Sequence, residues 1–268
     1  MPPRSDAVAG SAGHAQALLR GLALLEALAA TEGGATLTAL AAGLDLPAPT
    51  AYRLLAALEQ AGFAQQDAHG VWRMGVRAFR VGSAFLEHRN LATQALPHLQ
   101  RLMEQAGETA NLAVQSDGEA VFIAQVQCRE MMRMSVKLGA RAPMHASGAG
   151  KAMLAALDPV ALARAIDRTG LVRYTPRTLV EPAALRAELE ATRARGYAID
   201  DEEHAPGLRC VAAPIHDEHG QPWAAFSLAG PTSRLVPGRV PALGALVCAT
   251  AREATLALGG QPQRALRH

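Results

Sequence analysis

Apolar positions recur first at helical spacing and later at strand spacing, and the change divides the chain. Over residues 17–30, Leu18, Leu19, Leu22, Leu25 and Leu28 read as one helical face, closed by Gly33-Gly34. A short helix is predicted from Thr36-Leu37-Thr38 to Ala42, capped by Thr36 or Thr38 and broken at Gly43. Leu44-Asp45-Leu46-Pro47 reads as a turn, and residues 48–61 as the next helix, with Pro49 tolerated in its first turn. Leu54, Leu55 and Leu58 form its expected buried stripe, and Gly62 ends it. Residues 63–66 and 71–74 then read as two short strands around Asp67-Ala68-His69-Gly70.

Helix, short helix, tight turn, helix and hairpin, in that order, predict a winged helix-turn-helix. Two helices joined by such a turn cross steeply, and the second can enter the major groove with its first residues at base edges. Those outward residues are expected to be Ala48, Thr50, Ala51, Tyr52 and Arg53, with Thr38 on the preceding helix. Thr50 and Tyr52 suit phosphate or bases, Ala51 a thymine methyl, and Arg53 guanine or phosphate. His69 and Arg73 on the wing would meet the flanking backbone or the minor groove. The competing interpretation is a small helical module for protein contact.

Residues 76–88 and 90–107 continue as helices, with a kink or break expected at Pro97. From Glu108 the pattern becomes strand-like. Residues 109–115 and 120–126 form a predicted hairpin around Ser116-Asp117-Gly118-Glu119, and 131–138 a third strand. Helices follow over 147–157, 159–168 and 182–195, strands over 198–201, 209–215 and 223–229, and a closing amphipathic helix over 240–258. The fold class is therefore α+β: a winged helix-turn-helix over 15–76, a linker helix over 77–89, and a domain over 90–260 with a largely antiparallel sheet flanked by helices.

Composition narrows the possibilities. A chain of 268 residues, half of them hydrophobic and 19% charged, suits two compact domains. Cys128, Cys210 and Cys248 are far apart, with no zinc spacing, so neither a disulfide framework nor a metal site is expected. No uninterrupted apolar run approaches the ~18 residues needed to span a bilayer. An odd number of scattered cysteines fits a reducing cytosol, and the start lacks the apolar core of a signal peptide. Residues 1–14 and 259–268 read as frayed tails. Net charge is only +2, and the arginines of residues 1–80 are offset by acids, so one copy would hold DNA weakly and several copies are expected to share the task.

Candidate ligand chemistry begins at His145-Ala146-Ser147-Gly148-Ala149-Gly150-Lys151. Ser147 is a good N-cap, and the small residues after it let an anion approach free backbone N–H groups at a helix start. The glycines could equally serve tight packing alone. The spacing does not fit a Walker motif, so no nucleotide triphosphate is expected. Asp200-Asp201-Glu202-Glu203-His204 is either a solvated strand end or, through Asp200, an inward acceptor for a hydroxyl-bearing ligand. Cys210 reads as a small apolar residue facing core or pocket. A catalytic Cys210 with His145 or His204 and Asp200 would make a GAF-fold enzyme, but nothing fixes such a geometry. The Met131-Met132-Arg133-Met134 stretch reads as core or as an adaptable pocket wall.

These landmarks together resemble the IclR family of bacterial regulators over almost the whole chain. The most specific pieces are Thr50-Ala51-Tyr52-Arg53-Leu54-Leu55, the M-H-A-S-G-A-G-K run of 144–151, and Arg195-Gly196-Tyr197. Asp201-Glu202-Glu203, the G-L-R-C-V-A-A-P run of 207–214, and Gly230-Pro231 complete the set. Residues 87–91 and 200–204 look closer to the acetate-operon (glyoxylate-bypass) branch than to the family average. The resemblance implies a GAF-like effector domain, no cofactor and no enzymatic activity. It also implies dimers or dimer-of-dimers tetramers on operator DNA, repression, and control by a small oxo acid such as glyoxylate or pyruvate. Residue by residue, it places the carboxylate-binding turn on Gly148 and Ala149, polar pocket groups on Asp200, Cys210 and Ser227, and an apolar wall on Met134 and Leu138. Ala229 stands where that branch tends to have a second pocket serine. An aromatic or other catabolic carboxylate is the alternative effector, and would need a larger apolar pocket.

Overall fold

The computed structural model describes residues 6–89 and 91–261, with side-chain surroundings for 16–82 and 91–261. Of the expected tails, 1–5 and 262–268 lie outside the described residues, and 6–14 belong to the first helix. The chain divides into two units, Met1–Arg89 and Asn90–His268.

The first unit contains α1 (Asp6–Ala30), β1 (Ala35–Thr36), α2 (Leu37–Gly43), α3 (Ala48–Gln60), β2 (Ala64–Gln66), β3 (Val71–Met74) and α4 (Val76–Arg89). Thr36, in extended conformation, caps α2 by accepting the Ala39 N–H at 3.3 Å. Asp45 then takes a positive φ of 50° in the turn before α3. The three strands form a small antiparallel sheet in the order β1-β3-β2. Gly34 has no tolerated substitute, because φ is +94° and a Cβ there would lie 2.4 Å from the Trp72 carbonyl oxygen.

Leu24, Leu28, Leu40, Leu55, Ala64 and Trp72 close this core. The buried stripe of α1 therefore differs from the expected one. Leu18, Leu19 and Leu22 are 65%, 66% and 47% exposed. A leucine-rich helix offers two apolar stripes, and the tertiary neighbours α3 and β3 select the one carrying Leu24 and Leu28.

The second unit contains α5 (Leu91–Ala106), β4 (Thr109–Ser116), β5 (Glu119–Val126), β6 (Arg141–Pro143), α6 (Gly148–Ala156), α7 (Pro159–Thr169), α8 (Pro182–Arg195), β7 (Ala198–Asp201), β8 (Leu208–His216), β9 (Pro222–Pro231) and α9 (Val240–Ala257). One antiparallel sheet of six strands runs β6-β5-β4-β9-β8-β7. Alternation sends Ala110, Leu112, Val211, Ala213, Phe226 and Leu228 into one core with α5 and α9. Ala113, Ala198, Ala212 and Ala225 face the other way, into a core with α6, α7 and α8. α9 is long and apolar enough to cross a membrane by length and composition, yet Leu243, Val247, Ala251 and Ala254 of it are packed in the first of these cores.

Two local expectations change. α5 runs unbroken through Pro97. Residues 131–138 form a loop instead of a strand, with Met131 98%, Met132 70% and Leu138 66% exposed. Side chains hold this loop by its carbonyls: Arg234 Nη1 donates to Met132 O (2.7 Å) and Thr109 Oγ1 to Met134 O (3.0 Å). The third strand is the three-residue β6, which begins after Gly139 turns the chain at φ +84°.

Candidate functional site

In the first unit, α3 presents two faces. Ala51 and Leu55, one turn apart, are fully buried, whereas Ala48, Tyr52 and Arg53 are exposed and Thr50 is half-buried. The expectation that Ala51 faces a thymine methyl is corrected: it belongs to the core-facing stripe with Leu55, which the consecutive string 50–53 concealed. Thr38 is exposed on α2. The Tyr52 ring meets Trp72 of the wing edge-on, with centroids 6.5 Å apart, which ties the outer face of α3 to β3. On the wing, His69 is exposed and Arg73 pairs with Asp67 at 3.1 Å. Asp67 also accepts the Val71 and His69 N–H groups, and these bonds, Val71 first, hold its carboxyl below the usual range. Arg73 thus stands at the surface with its charge already partnered.

In the second unit, register places the chemistry in two rows across one sheet face. Asp200, Cys210, Ala229 and Thr109 are successive cross-strand partners. Two residues along, Ala198, Ala212, Ser227, Asn111 and Gln125 form the second row. All but Gln125 are buried. The start of α6 lies against them: a Cβ on Gly148 would stand 3.1 Å from Cys210 Cβ and 3.5 Å from Ala212 Cβ. Ser147 caps α6 by accepting the Gly150 N–H at 3.1 Å, and its own hydroxyl donates to Pro143 O at 2.7 Å. Gly150 is required by close approach, since a Cβ there would be 2.4 Å from the Met144 backbone. The Gly148 and Ala149 N–H groups lie in the same first turn, where the helix itself supplies no acceptor.

Asp200 Oδ1 accepts the N–H of Glu203 (2.8 Å) and of His204 (3.4 Å), while Oδ2 is buried with no protein partner. Burial, and then the nearby Glu203 carboxylate, push its carboxyl up to about 7 against the opposing effect of the backbone bonds and Lys151. Lys151, fully buried, pairs with Glu203 and lies 3.7 Å from Glu188 Oε1, so it fastens the segment after β7 to α6 and α8. Burial also raises the Cys210 thiol well above its ordinary value, with Asp200 adding to the effect, so this cysteine stays protonated and is a poor nucleophile. His145 Nε2 bonds Val172 O at 2.9 Å, a packing role. Met134 packs with Cys210, Ala229 and Leu208, whereas Leu138 is exposed and contributes no wall. Two cavities, of about 230 Å³ between α7 and α8 and about 210 Å³ beside His145 and Tyr174, lie apart from these rows. Sequence reasoning missed Thr109, Asn111, Gln125 and the Lys151–Glu203 pair. The signal for Asn111 was present, as a polar residue at an alternating position within a central strand.

Comparison with known proteins is decisive at the level of family. Residues 17–68 match the IclR helix-turn-helix domain, and 83–255 match the bacterial transcriptional regulator IclR C-terminal domain. The chain belongs to the IclR family. It is 51% identical over 257 residues to the transcriptional repressor IclR of Escherichia coli K12, covering 95% of this chain and 94% of that one. It is likewise 51% identical to the acetate operon repressor of Salmonella typhimurium, covering 92% of each. The crystal structure of Thermotoga maritima IclR superposes with a TM-score of 0.75 at 28% identity, covering 92% of this chain and all of that one. This IclR-family chain is a DNA-binding transcriptional regulator, not an enzyme.

Proposed function

We propose that this chain is a cytoplasmic repressor whose hold on operator DNA is set by a small oxo acid of the glyoxylate or pyruvate kind. The observation that carries the effector is the buried, unpartnered Asp200 Oδ2 on the sheet face shared with Cys210 and Ser227, against the start of α6. In this reading the ligand carboxylate takes the Gly148 and Ala149 N–H groups, and its other oxygens meet Asp200, Ser227 and Cys210, with Met134 as the apolar cover. The small side chains of Ala212 and Ala229 on this face suit a two- or three-carbon acid better than an aromatic one. Ala229 removes one hydroxyl from the set, so Asp200 and Ser227 supply the polar recognition.

On DNA, Thr38, Ala48, Thr50, Tyr52 and Arg53 would face the major groove, with His69 and Arg73 at its edge. Two copies are needed for a firm hold. Leu18, Leu19 and Leu22 of α1 and Val76, Phe79 and Val81 of α4 are exposed apolar side chains suited to pairing with a second copy, as a dimer or a dimer of dimers. The test is fluorescence anisotropy on DNA from upstream of its own gene, with glyoxylate, pyruvate or benzoate added. Release of DNA by an oxo acid supports the reading. DNA binding indifferent to both oxo acids, or answering only benzoate, overturns the effector assignment.

A further inference from the structure

Asn111 is left without a task by that arrangement, although it is 1% exposed in the middle of β4. Gln125 Nε2 donates to its Oδ1 at 2.7 Å, and its Nδ2 donates to Ser227 Oγ at 3.5 Å. The chain of bonds continues toward the surface. Gln127 Nε2 donates to Gln125 Oε1 at 3.0 Å, and Arg133 Nε donates to Gln127 Oε1 at 2.9 Å.

The direction of this chain is fixed by chemistry at its outer end. A guanidinium has donors and no acceptor, so the Gln127 atom facing Arg133 is oxygen. The Gln127 amide nitrogen then faces Gln125, which must present oxygen to it and nitrogen to Asn111. Asn111 in turn presents oxygen to Gln125 and nitrogen to Ser227. A serine hydroxyl that accepts from Asn111 keeps its single proton for another acceptor.

We infer that Asn111 is a specificity-determining residue of the effector pocket: as the inner end of a one-way relay from Arg133, it presents the Ser227 proton to the C2 oxo oxygen of a 2-oxo acid. The inference rests on the effector reading above. An oxo oxygen only accepts, whereas a C2 hydroxyl also carries a proton that needs an acceptor of its own. Burial raises the Asp200 carboxyl, on the same sheet face, to about 7, so working at pH 6 favours its protonated form. Arg133 is the neighbour of Met134, so the loop that covers Cys210 and Ala229 also sets the polarity of the relay.

The test is calorimetry on the full chain at pH 6 with pyruvate, D-lactate and L-lactate. Wild type is expected to prefer pyruvate, and Asn111→Leu to lose about tenfold in pyruvate affinity, the equivalent of one hydrogen bond, with lactate nearly unchanged. Adding Asn111→Leu to Ser227→Ala should cost nothing further, because the first acts through the second. Arg133 is exposed and safe to alter. Arg133→Met should lower the pyruvate-to-lactate ratio, and Arg133→Lys, still a donor without an acceptor, should restore it. If Asn111→Leu and Arg133→Met leave the ratio at its wild-type value, or if the double variant is additive, the relay is overturned while the effector site stands. If wild type binds none of these acids, the effector reading fails first and the relay fails with it.

Discussion

The two faces of the six-stranded sheet are made from the same strands and differ at every alternate residue. One face sends Leu112, Val211, Ile215, Phe226 and Leu228 against α5 and α9. The other sends Thr109, Asn111, Ser227, Cys210 and Asp200 toward the start of α6, all buried. The first face supplies the large apolar area that folds the domain. The second offers small side chains and polar groups whose burial is costly unless each is bonded, and Asp200 Oδ2 is not. A sheet retains such a face when something other than folding requires it.

The comparison can be broken at adjacent residues. Phe226 is fully buried on the apolar face. Phe226→Ala should therefore destabilise the domain by about 3–5 kcal/mol, the usual result of emptying a large core position. Urea denaturation gives the value. A loss below about 1 kcal/mol would mean that the apolar face does not carry the fold.

On the polar face, pH should separate wild type from Asp200→Asn. A carboxyl pushed up to about 7 in the folded state titrates near 4 when unfolded. Its folded form holds the proton more tightly. The resulting contribution to stability is fully present below about pH 4 and is lost as pH rises through 7. Wild type should then lose stability relative to Asp200→Asn across that window, on the order of 3 kcal/mol. Denaturation of both proteins at pH 5 and pH 8 checks this. A constant difference would show that Asp200 is ordinary, and with it the polar face.

Much of this contrast was legible in the sequence. Alternation located five of the six strands, and the helix-turn-helix followed from spacing, glycine stops and the Thr36 cap. Legibility failed where two apolar assignments competed. In α1 the choice between Leu18, Leu19 and Leu22 and the Leu24–Leu28 stripe depends on neighbours from distant sequence. In 131–138 strand-like composition was mistaken for a strand, because the loop is held through its carbonyls by Arg234 and Thr109, contacts that no local pattern reveals. At the site, Asp200 and Cys210 were legible in the residues as candidates, whereas Ser227 came from family resemblance alone. Asn111 could have been found by following the alternation of β4 through Thr109 and Ala113.

α3 repeats the two-faced logic in the DNA-binding unit. Ala51 is fully buried while Arg53 is exposed. Ala51→Leu should overpack the core and destabilise the unit by about 1–3 kcal/mol, visible as a lower melting temperature. Arg53→Ala should leave stability within about 0.5 kcal/mol and weaken operator binding by about 1–3 kcal/mol if it reads a base. Equal weakening on every DNA sequence would limit Arg53 to phosphate.

Ser227→Ala should change stability little and is the sharpest test of the polar face. Ser227 neighbours Phe226 in sequence and faces the opposite way. Its side chain takes only the long contact from Asn111 at 3.5 Å among the described residues, and the methyl of alanine fits where its Cβ already sits. Folding should therefore change by less than about 1 kcal/mol, since a weak bond is lost and no cavity larger than one oxygen opens. Ligand binding should respond far more strongly, because the hydroxyl proton has no other acceptor assigned to it and the oxo acid loses its donor. A variant that melts with wild type yet no longer releases operator DNA with pyruvate would establish that the two faces of one strand serve separate ends. A variant that melts much lower would instead return Ser227 to the ordinary work of the core.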